Sequence, residues 1–300
     1  LLTFPKSDIE TYCKENNLNP VIDSTNFSTA YKRNFVRHYI LPLMEEYNPS
    51  IKNSLARLSK IISKDLDFIN QECEIFWKLK VKKTNNYLSI IISELLDIPE
   101  AISSRILIKS ISYIQNDPSN ISSDKIKSLM SLINGETGKK LQINDMLAIK
   151  QYDNLILCEN PTDTIPLPDI PAPIKIKIPG TSHISGWKIK TSYGNAPQKH
   201  SSSLGIEGGI GWIKKDSKKV LYVRSRKPGD LFYPSGFKGK KKLKTFMIDS
   251  KIPQLWRSRI PLISTNKKIA WVVGWRIAEW AQPKPKEDAI KIEFTREYEG

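Results

Sequence analysis

Apolar residues recur every three or four positions through roughly the first 135 residues and every second position beyond Gly138, so the chain reads as helices followed by sheet. Ser7 with Glu10 three residues on predicts a capping box opening a short helix to about Asn16. The stretch DSTNFSTAYKRNFVRHYILPLMEEYNP predicts a helix from near Ser28, with Tyr31, Phe35, Ile40 and Leu43 buried and a kink at Pro42. Asn48 and Pro49 open the next helix in the order cap then proline, and Ile51, Leu55, Leu58, Ile62, Leu66 and Ile69 form its apolar face. Further helices are expected over Tyr87 to Leu96, over Pro99 to Ile114 behind a cap at Asp97, and over Ser123 to Ile133, which together make a helical bundle.

After Gly138 the segments KLQIN, MLAIK and NLILCE predict short strands. NPTDTIPLPDIPAPIKIKIPG is rich in proline and predicts an extended connection that ends in an edge strand. SLGIEGGIGW lacks the strand before it and the helix after it that a dinucleotide fingerprint needs, so it is assigned no ligand. From about residue 218 a small α+β unit is expected: strand KVLYVRSR, turn KPGD, a basic Gly-containing loop, helix Leu243 to Ser250, a short helix Pro253 to Arg259, and strands IPLIST and KIAWVVGWRI joined through TNKK. The fold class is α+β and multidomain.

Composition narrows this picture. The net charge is +16, and residues 201–300 carry 22 Lys and Arg against 10 Asp and Glu, which is +12 of it. Such asymmetry points to an anionic polymer as partner. Abundant Ile, Lys, Asn and Ser also fit an A+T-rich genome, which supplies part of the lysine content without any function. No stretch approaches the roughly 18 uncharged apolar residues of a membrane span, so no membrane association is expected. Cys13, Cys73 and Cys158 form no C-x-x-C pair, and His38, His183 and His200 share no ligand spacing, so neither a metal site nor a disulfide framework is indicated. The chain opens on Leu1, within what reads as mid-domain sequence, so further protein is expected before it.

The most informative stretch is KPGDLFYPSGFKGKKKLKTFMIDSKIP, residues 227–253, where glycines and prolines punctuate a lysine cluster ahead of a helix. Gly exposes backbone N–H groups and Lys supplies charge, a combination suited to phosphate. Within VRSRKPGDLFYPSGFKGKKKLKTFMIDSKIPQLWRSRIPLIS the order R-x-R-x-x-G-D, G-x-K-x-x-K-K-L-x-x-F-x-x-D, K-I-P and R-x-x-x-P-L resembles the C-terminal tRNA-binding domain of the tRNA(Ile)-lysidine synthetases. DSTNFSTAYKRNFVRHYILPLM is similar to the D-S-x-N…R-N-x-x-R-x-x-x-x-P-x-L segment that ends the same family's catalytic domain.

The resemblance implies a ligase that uses ATP to adenylate the wobble cytidine of an isoleucine tRNA with a CAU anticodon and then joins free lysine to C2 of that base. It implies that 1–50 is the end of an α/β nucleotide-binding, ATP-pyrophosphatase-like catalytic domain. Residues 51–200 would be a helical substrate-binding domain with appended strands, and 201–300 a basic tRNA-binding domain. Asp23, Asn26, Arg33, Asn34 and Arg37 are the candidate catalytic residues. Arg224, Arg226, Lys227, Lys238, Lys240, Lys241, Lys242, Lys244, Lys251, Arg257 and Arg259 are the candidate tRNA contacts, while Asp230 is expected to pin its turn. The family's S-G-G-x-D-S loop is absent from these residues, so ATP and Mg²⁺ are expected mainly in a part of the enzyme that the chain lacks. The alternative is a non-catalytic tRNA- or RNA-binding module. A DNA-binding regulator fits less well, because the helix from Leu243 offers few polar side chains to read bases. A homodimer and a location in a plastid or a bacterial cytoplasm complete the expectations. Trp256, Trp271, Trp275 and Trp280 are candidates for base stacking, with Trp271 better placed in a core.

Overall fold

Helices account for the first of the two units into which the chain divides, Leu1–Gln71 and Glu72–Gly300. The computed structural model describes residues 4, 6–21, 24–115, 121–198, 208–216, 220–237 and 239–297.

In the first unit α1 spans Lys6–Glu15. The expected capping box does not form: the helix already includes Ser7, whose hydroxyl donates to Asp8 at 3.2 Å and whose carbonyl accepts from the Thr11 hydroxyl at 2.9 Å. A tight turn at Ser24–Phe27 precedes α2 (Lys32–Phe35), which continues through a π-helical turn, Val36–Ile40, into α3 (Leu41–Tyr47). Pro42 has no N–H to give to the carbonyl four residues back, and the helix widens ahead of it where a kink was expected. Asn48 behaves as a cap, its Oδ1 accepting the Ser50 N–H at 3.0 Å and the Ser50 hydroxyl at 2.8 Å, ahead of α4 (Ile51–Lys80). The apolar side chains expected inside lie in solvent: Tyr31, Phe35, Ile40 and Leu43 of the first helical run and Leu55, Leu58, Ile62 and Leu66 of α4 are all exposed. Amphipathic spacing identifies a face, and no second layer covers this one among the described residues.

The second unit begins with the last turns of α4, where Cys73, Phe76 and Trp77 are buried. A five-stranded antiparallel sheet follows from β1 (Val81–Lys83), β2 (Tyr87–Ile91), β3 (Lys140–Ile143), β4 (Met146–Gln151) and β5 (Asn154–Cys158), in the order β1-β2-β5-β4-β3. Between β2 and β3 lie α5 (Ile92–Leu96), α6 (Glu100–Gln115) and α7 (Ser123–Asn134). The helix expected over Tyr87 to Leu96 is therefore half strand, because YLSII pairs with both β1 and β5 and alternates in burial. Leu88, Ile90, Leu155, Leu157 and Ala148 are fully buried on one side of the sheet, which packs under α6 and α7. Ile149, Ile156 and Cys158 form a separate cluster on the other side with Tyr87, Leu147 and Leu255. Burial there pushes the Cys158 thiol up to about 11, so it packs as a neutral side chain.

Two further sheets share one core. β7 (Gly180–Ile184), β8 (Trp187–Asn195), β9 (Gly208–Lys214) and β16 (Asp288–Arg296) form one, in the order β7-β8-β16-β9. The other runs β15-β14-β13-β10-β6 and comprises β6 (Ile174–Lys175), β10 (Tyr222–Arg224), β13 (Leu262–Ser264), β14 (Ile269–Val272) and β15 (Arg276–Ile277), with β6 at its edge as the proline pattern predicts. Residues 174–195 thus hydrogen-bond with strands beyond 208. Trp187, Trp271, Phe232, Met247 and Phe294 meet in the shared core. The described part of the Gly-rich passage is β9, and its Gly211 is there for packing: a Cβ would stand 2.8 Å from the Trp271 ring. TNKK closes a hairpin, the Thr265 N–H reaching the Lys268 carbonyl at 2.9 Å. The helix expected over Pro253 to Arg259 is a run of turns, in which the Trp256 N–H bonds the Pro253 carbonyl at 3.0 Å and the Arg259 N–H bonds that of Trp256 at 2.8 Å.

Candidate nucleic-acid interface

The basic stretch is assembled on the two-stranded ribbon of β11 (Leu231–Phe232) and β12 (Lys241–Lys242), which leads directly into α8 (Leu243–Asp249). α8 buries Leu243, Phe246 and Met247, at a spacing of three and four, and Phe246 meets Phe232 edge-on with centroids 4.8 Å apart. That leaves Lys244 on the open side. The loop between the strands is tied to the segment after β15, where the Gly236 N–H donates to the Glu279 carboxylate at 3.0 Å and the Glu279 N–H to the Tyr233 carbonyl at 2.8 Å. Its tip holds Gly236 at φ 76° and Gly239 at φ 112°, a backbone region that disfavours side chains.

The candidate contacts divide sharply. Arg226, Lys227, Lys240, Lys242, Lys244 and Lys251 are exposed. Lys241 is half-buried, its Nζ 3.1 Å from Asp249 and 4.2 Å from the centre of the Phe237 ring. Arg224 makes a two-pronged ion pair with Asp230, at 2.8 and 2.9 Å, and its Nε reaches Ser264 Oγ at 3.3 Å. Asp230 also accepts the Lys227 N–H at 2.7 Å, and its carbonyl accepts that of Leu243 at 2.8 Å, so it pins the turn and seats the start of α8. Arg257 is buried, bonded to the Ile252 carbonyl at 3.0 Å and Tyr152 Oη at 3.2 Å, and Arg259 bonds the Leu167 carbonyl at 3.2 Å. Lys238 lies outside the described residues. The tryptophans serve the fold: Trp271 is fully buried, Trp256 and Trp280 donate to the carbonyls of Thr164 and Ile269, and Trp275 packs on the core. Nothing local in the sequence marks Tyr152 as a partner for an arginine. QYDN between two strands marks the turn, and Tyr152 occupies it at φ 56°, but the residue it reaches is 105 positions away.

In the first unit Arg33 and Arg37 are exposed on the run from α2 into the π turn, and neither is paired among the described residues. Asn34 is buried, and its amide donates to the carbonyls of Thr25 at 3.0 Å and Ser28 at 2.9 Å. It clamps the loop that carries Asn26, whose own carbonyl meets His38 Nε2 at 3.0 Å while the residue stays exposed. Asp23 lies outside the described residues. No group of three or more His, Cys, Asp or Glu that could hold a metal ion occurs among the described residues. No described helix is long and apolar enough to cross a membrane.

Comparisons with known proteins bear on both regions. Residues 221–294 match the family model described as the TilS substrate C-terminal domain, and residues 1–44 match that of the PP-loop domain. The second match corrects the expectation that the ATP-binding part is missing: a portion of that domain is in the chain, although the S-G-G-x-D-S string is not. A tRNA(Ile)-lysidine synthase of Caldanaerobacter subterraneus is 29% identical over 99% of this chain and 63% of its own length. One of Clostridium perfringens is 32% identical over 98% of this chain and 64% of its own. A solved structure titled "Crystal structure of TILS C-terminal domain" is 22% identical over 43% of this chain, with a TM-score of 0.36. The chain spans somewhat under two thirds of the length of these curated relatives. Two domain models in the expected order, with similarity running along nearly the whole sequence between them, make this chain similar to the tRNA(Ile)-lysidine synthases over almost all of its length.

Proposed function

We propose that the chain is the larger part of a tRNA(Ile)-lysidine synthase, acting on an isoleucine tRNA with a CAU anticodon, ATP and free lysine. In this reading the C2 oxygen of the wobble cytidine attacks the α-phosphorus of ATP and pyrophosphate leaves. The neutral ε-amine of lysine then attacks C2, the C2–O bond breaks, AMP departs, and the amine loses a proton. Arg33 and Arg37 suit a phosphate that gains charge as it leaves, because both guanidiniums are exposed and uncommitted. Asn34 holds the loop bearing Asn26 beside them. The lysines around the β11–β12 ribbon would grip the tRNA backbone.

The observation that carries the reading is the order of the two domain matches on one chain, 1–44 and 221–294. The matched relatives are bacterial, which supports a bacterial cytoplasm over a plastid. The test is incorporation of radiolabelled lysine into a CAU-anticodon isoleucine tRNA transcript by the complete protein. ATP-dependent, acid-precipitable label is expected. Tight tRNA binding with no incorporation would identify an RNA-binding module instead.

A further inference from the structure

A groove of about 660 Å³ lies in the second unit, between the β1–β2 end of the five-stranded sheet and the segment after α8. It is lined by Lys82, Lys83 and Lys251 together with Ser89 and Asn154, and no carboxylate is among its lining residues. The sheet's register explains how it arises. Ser89 stands opposite Lys82 on β1 and Ile156 on β5, so all three share the face that packs on Leu255 through Ile149, Ile156 and Cys158. Toward the β1 edge that face turns from apolar to polar, and the packing stops short of it.

We infer that this groove is a second RNA-binding surface, continuous with the lysine cluster of the β11–β12 ribbon, that holds the phosphate backbone of the same tRNA. The inference rests on the function proposed above. Lys82 and Lys251 line the groove from its two sides, and among the described residues neither forms an ion pair; Lys83, one residue on, shares the other face of the sheet with Leu88 and lies over the Trp77 ring at 4.7 Å. α8 links the groove to the ribbon: Lys242 and Lys244 stand at its start and Lys251 follows its end, and its seven residues cover about 10 Å. Asn154 and Ser89, within 3.4 Å of each other, add uncharged donors suited to sugar and phosphate oxygens. The competing explanation is that Lys82 only guards an edge strand, since β1 ends its sheet and edge lysines deter pairing with other chains. That role needs one solvated charge. It does not need Lys251 across the groove.

The experiment measures binding of fluorescently labelled CAU-anticodon isoleucine tRNA by the complete protein from 50 to 300 mM salt, for the wild type, for Lys82→Glu with Lys251→Asn, and for the milder Lys82→Ala. Asn at 251 tolerates the φ of 52° found there, and a thermal melt of each variant checks folding. The double variant should bind about tenfold more weakly at low salt, with the salt slope flattened by roughly 1.5 to 2, and Lys82→Ala should flatten it by about half as much. Millimolar AMP or pyrophosphate should displace nothing. Folded variants with wild-type affinity and slope, or displacement by either small anion, would overturn the RNA groove. A wild-type protein that fails to bind the tRNA would instead defeat the functional reading on which it rests.

Discussion

The two regions that match family models use their polar residues in opposite ways. In the C-terminal region three arginines hold the fold: Arg224, Arg257 and Arg259 are bonded to Asp230, Tyr152 and backbone carbonyls, while Arg226 and most of the lysines are exposed. In the first unit an asparagine holds the fold and the arginines are exposed, since Asn34 is buried with both amide hydrogens bonded and Arg33 and Arg37 meet solvent. A guanidinium can satisfy several fixed acceptors at once and so suits a buried junction, whereas an ammonium on a flexible stem is strongly hydrated and stays outside. Basic residues in a family motif are therefore not equivalent evidence for RNA contact. Their partners sort them into those that build the surface and those that display charge on it.

The sharpest way to break this contrast is to remove an arginine said to be structural. Arg224→Ala strips Asp230 of a two-pronged partner at a site where both side chains are only 14% exposed, and Asp230 also seats α8. Leaving such a carboxylate unpaired should cost about 3 kcal/mol, the low end of the range for broken buried pairs given the remaining solvent access. Denaturant unfolding of the second unit is the measurement. A variant as stable as the wild type would return Arg224 to the pool of RNA contacts.

The opposite outcome is expected for the exposed arginines. Arg33→Ala and Arg37→Ala in the complete protein should leave the melting temperature unchanged and lower the ligation rate about 100-fold or more each, with a much smaller change in tRNA affinity, because charge placed at a developing leaving group acts mainly in the transition state. Asn34→Ala should reverse the pattern, unfolding the unit more readily because the loop carbonyls of Thr25 and Ser28 lose their donor. Equal losses of rate and affinity in the arginine variants would make them docking residues.

How much of this was legible in the sequence depended on whether the deciding contact was local. The spacing of Ile51, Leu55 and Leu58 was enough to find α4, and the alternation in MLAIK and NLILCE found β4 and β5, because both signals repeat within a few residues. YLSII was misread as helix because so short a run of mostly apolar residues fits either period, and its two partner strands, one of them near residue 156, decided the matter. The same distance hid which face of α4 is covered and which arginines are committed. Arg224 finds Ser264 forty positions on, and Arg257 finds Tyr152 across 105, where no periodicity reaches. Asn34 was singled out as a candidate for chemistry, and its bonds to residues six and nine positions earlier give it a clamping role.

A smaller effect tests the close packing beneath the C-terminal surface. Gly211→Ala places a methyl group 2.8 Å from the Trp271 ring, a fully buried side chain with little room to shift. Overpacking of this kind costs about 1–3 kcal/mol, with the loss read by thermal melting and a change in tryptophan fluorescence. tRNA affinity measured well below the melting temperature should be unaffected. A loss of affinity without a loss of stability would mean that the Gly-rich passage touches RNA after all.

The smallest effect separates lysines that sit side by side. Lys240 and Lys242 are exposed, whereas Lys241 between them bridges Asp249 and covers the Phe237 ring. Phosphate contacts release counterions, so each lost contact should flatten the log-log salt dependence of tRNA binding by about 0.7 to 0.9. Lys240→Glu with Lys242→Glu should flatten the slope by roughly 1.5 to 2 and leave the fold intact, because neither side chain has a protein partner among the described residues. Lys241→Glu sets a second carboxylate against Asp249 and should lower stability by about 0.5–1 kcal/mol, the scale of a surface pair, while changing the slope less than either neighbour does. Salt series by fluorescence anisotropy, paired with melting curves, give both readouts on the same samples. If all three lysines contribute equally to the slope, then Lys241 leaves Asp249 when RNA arrives, and the division between building and displaying residues does not hold along this ribbon.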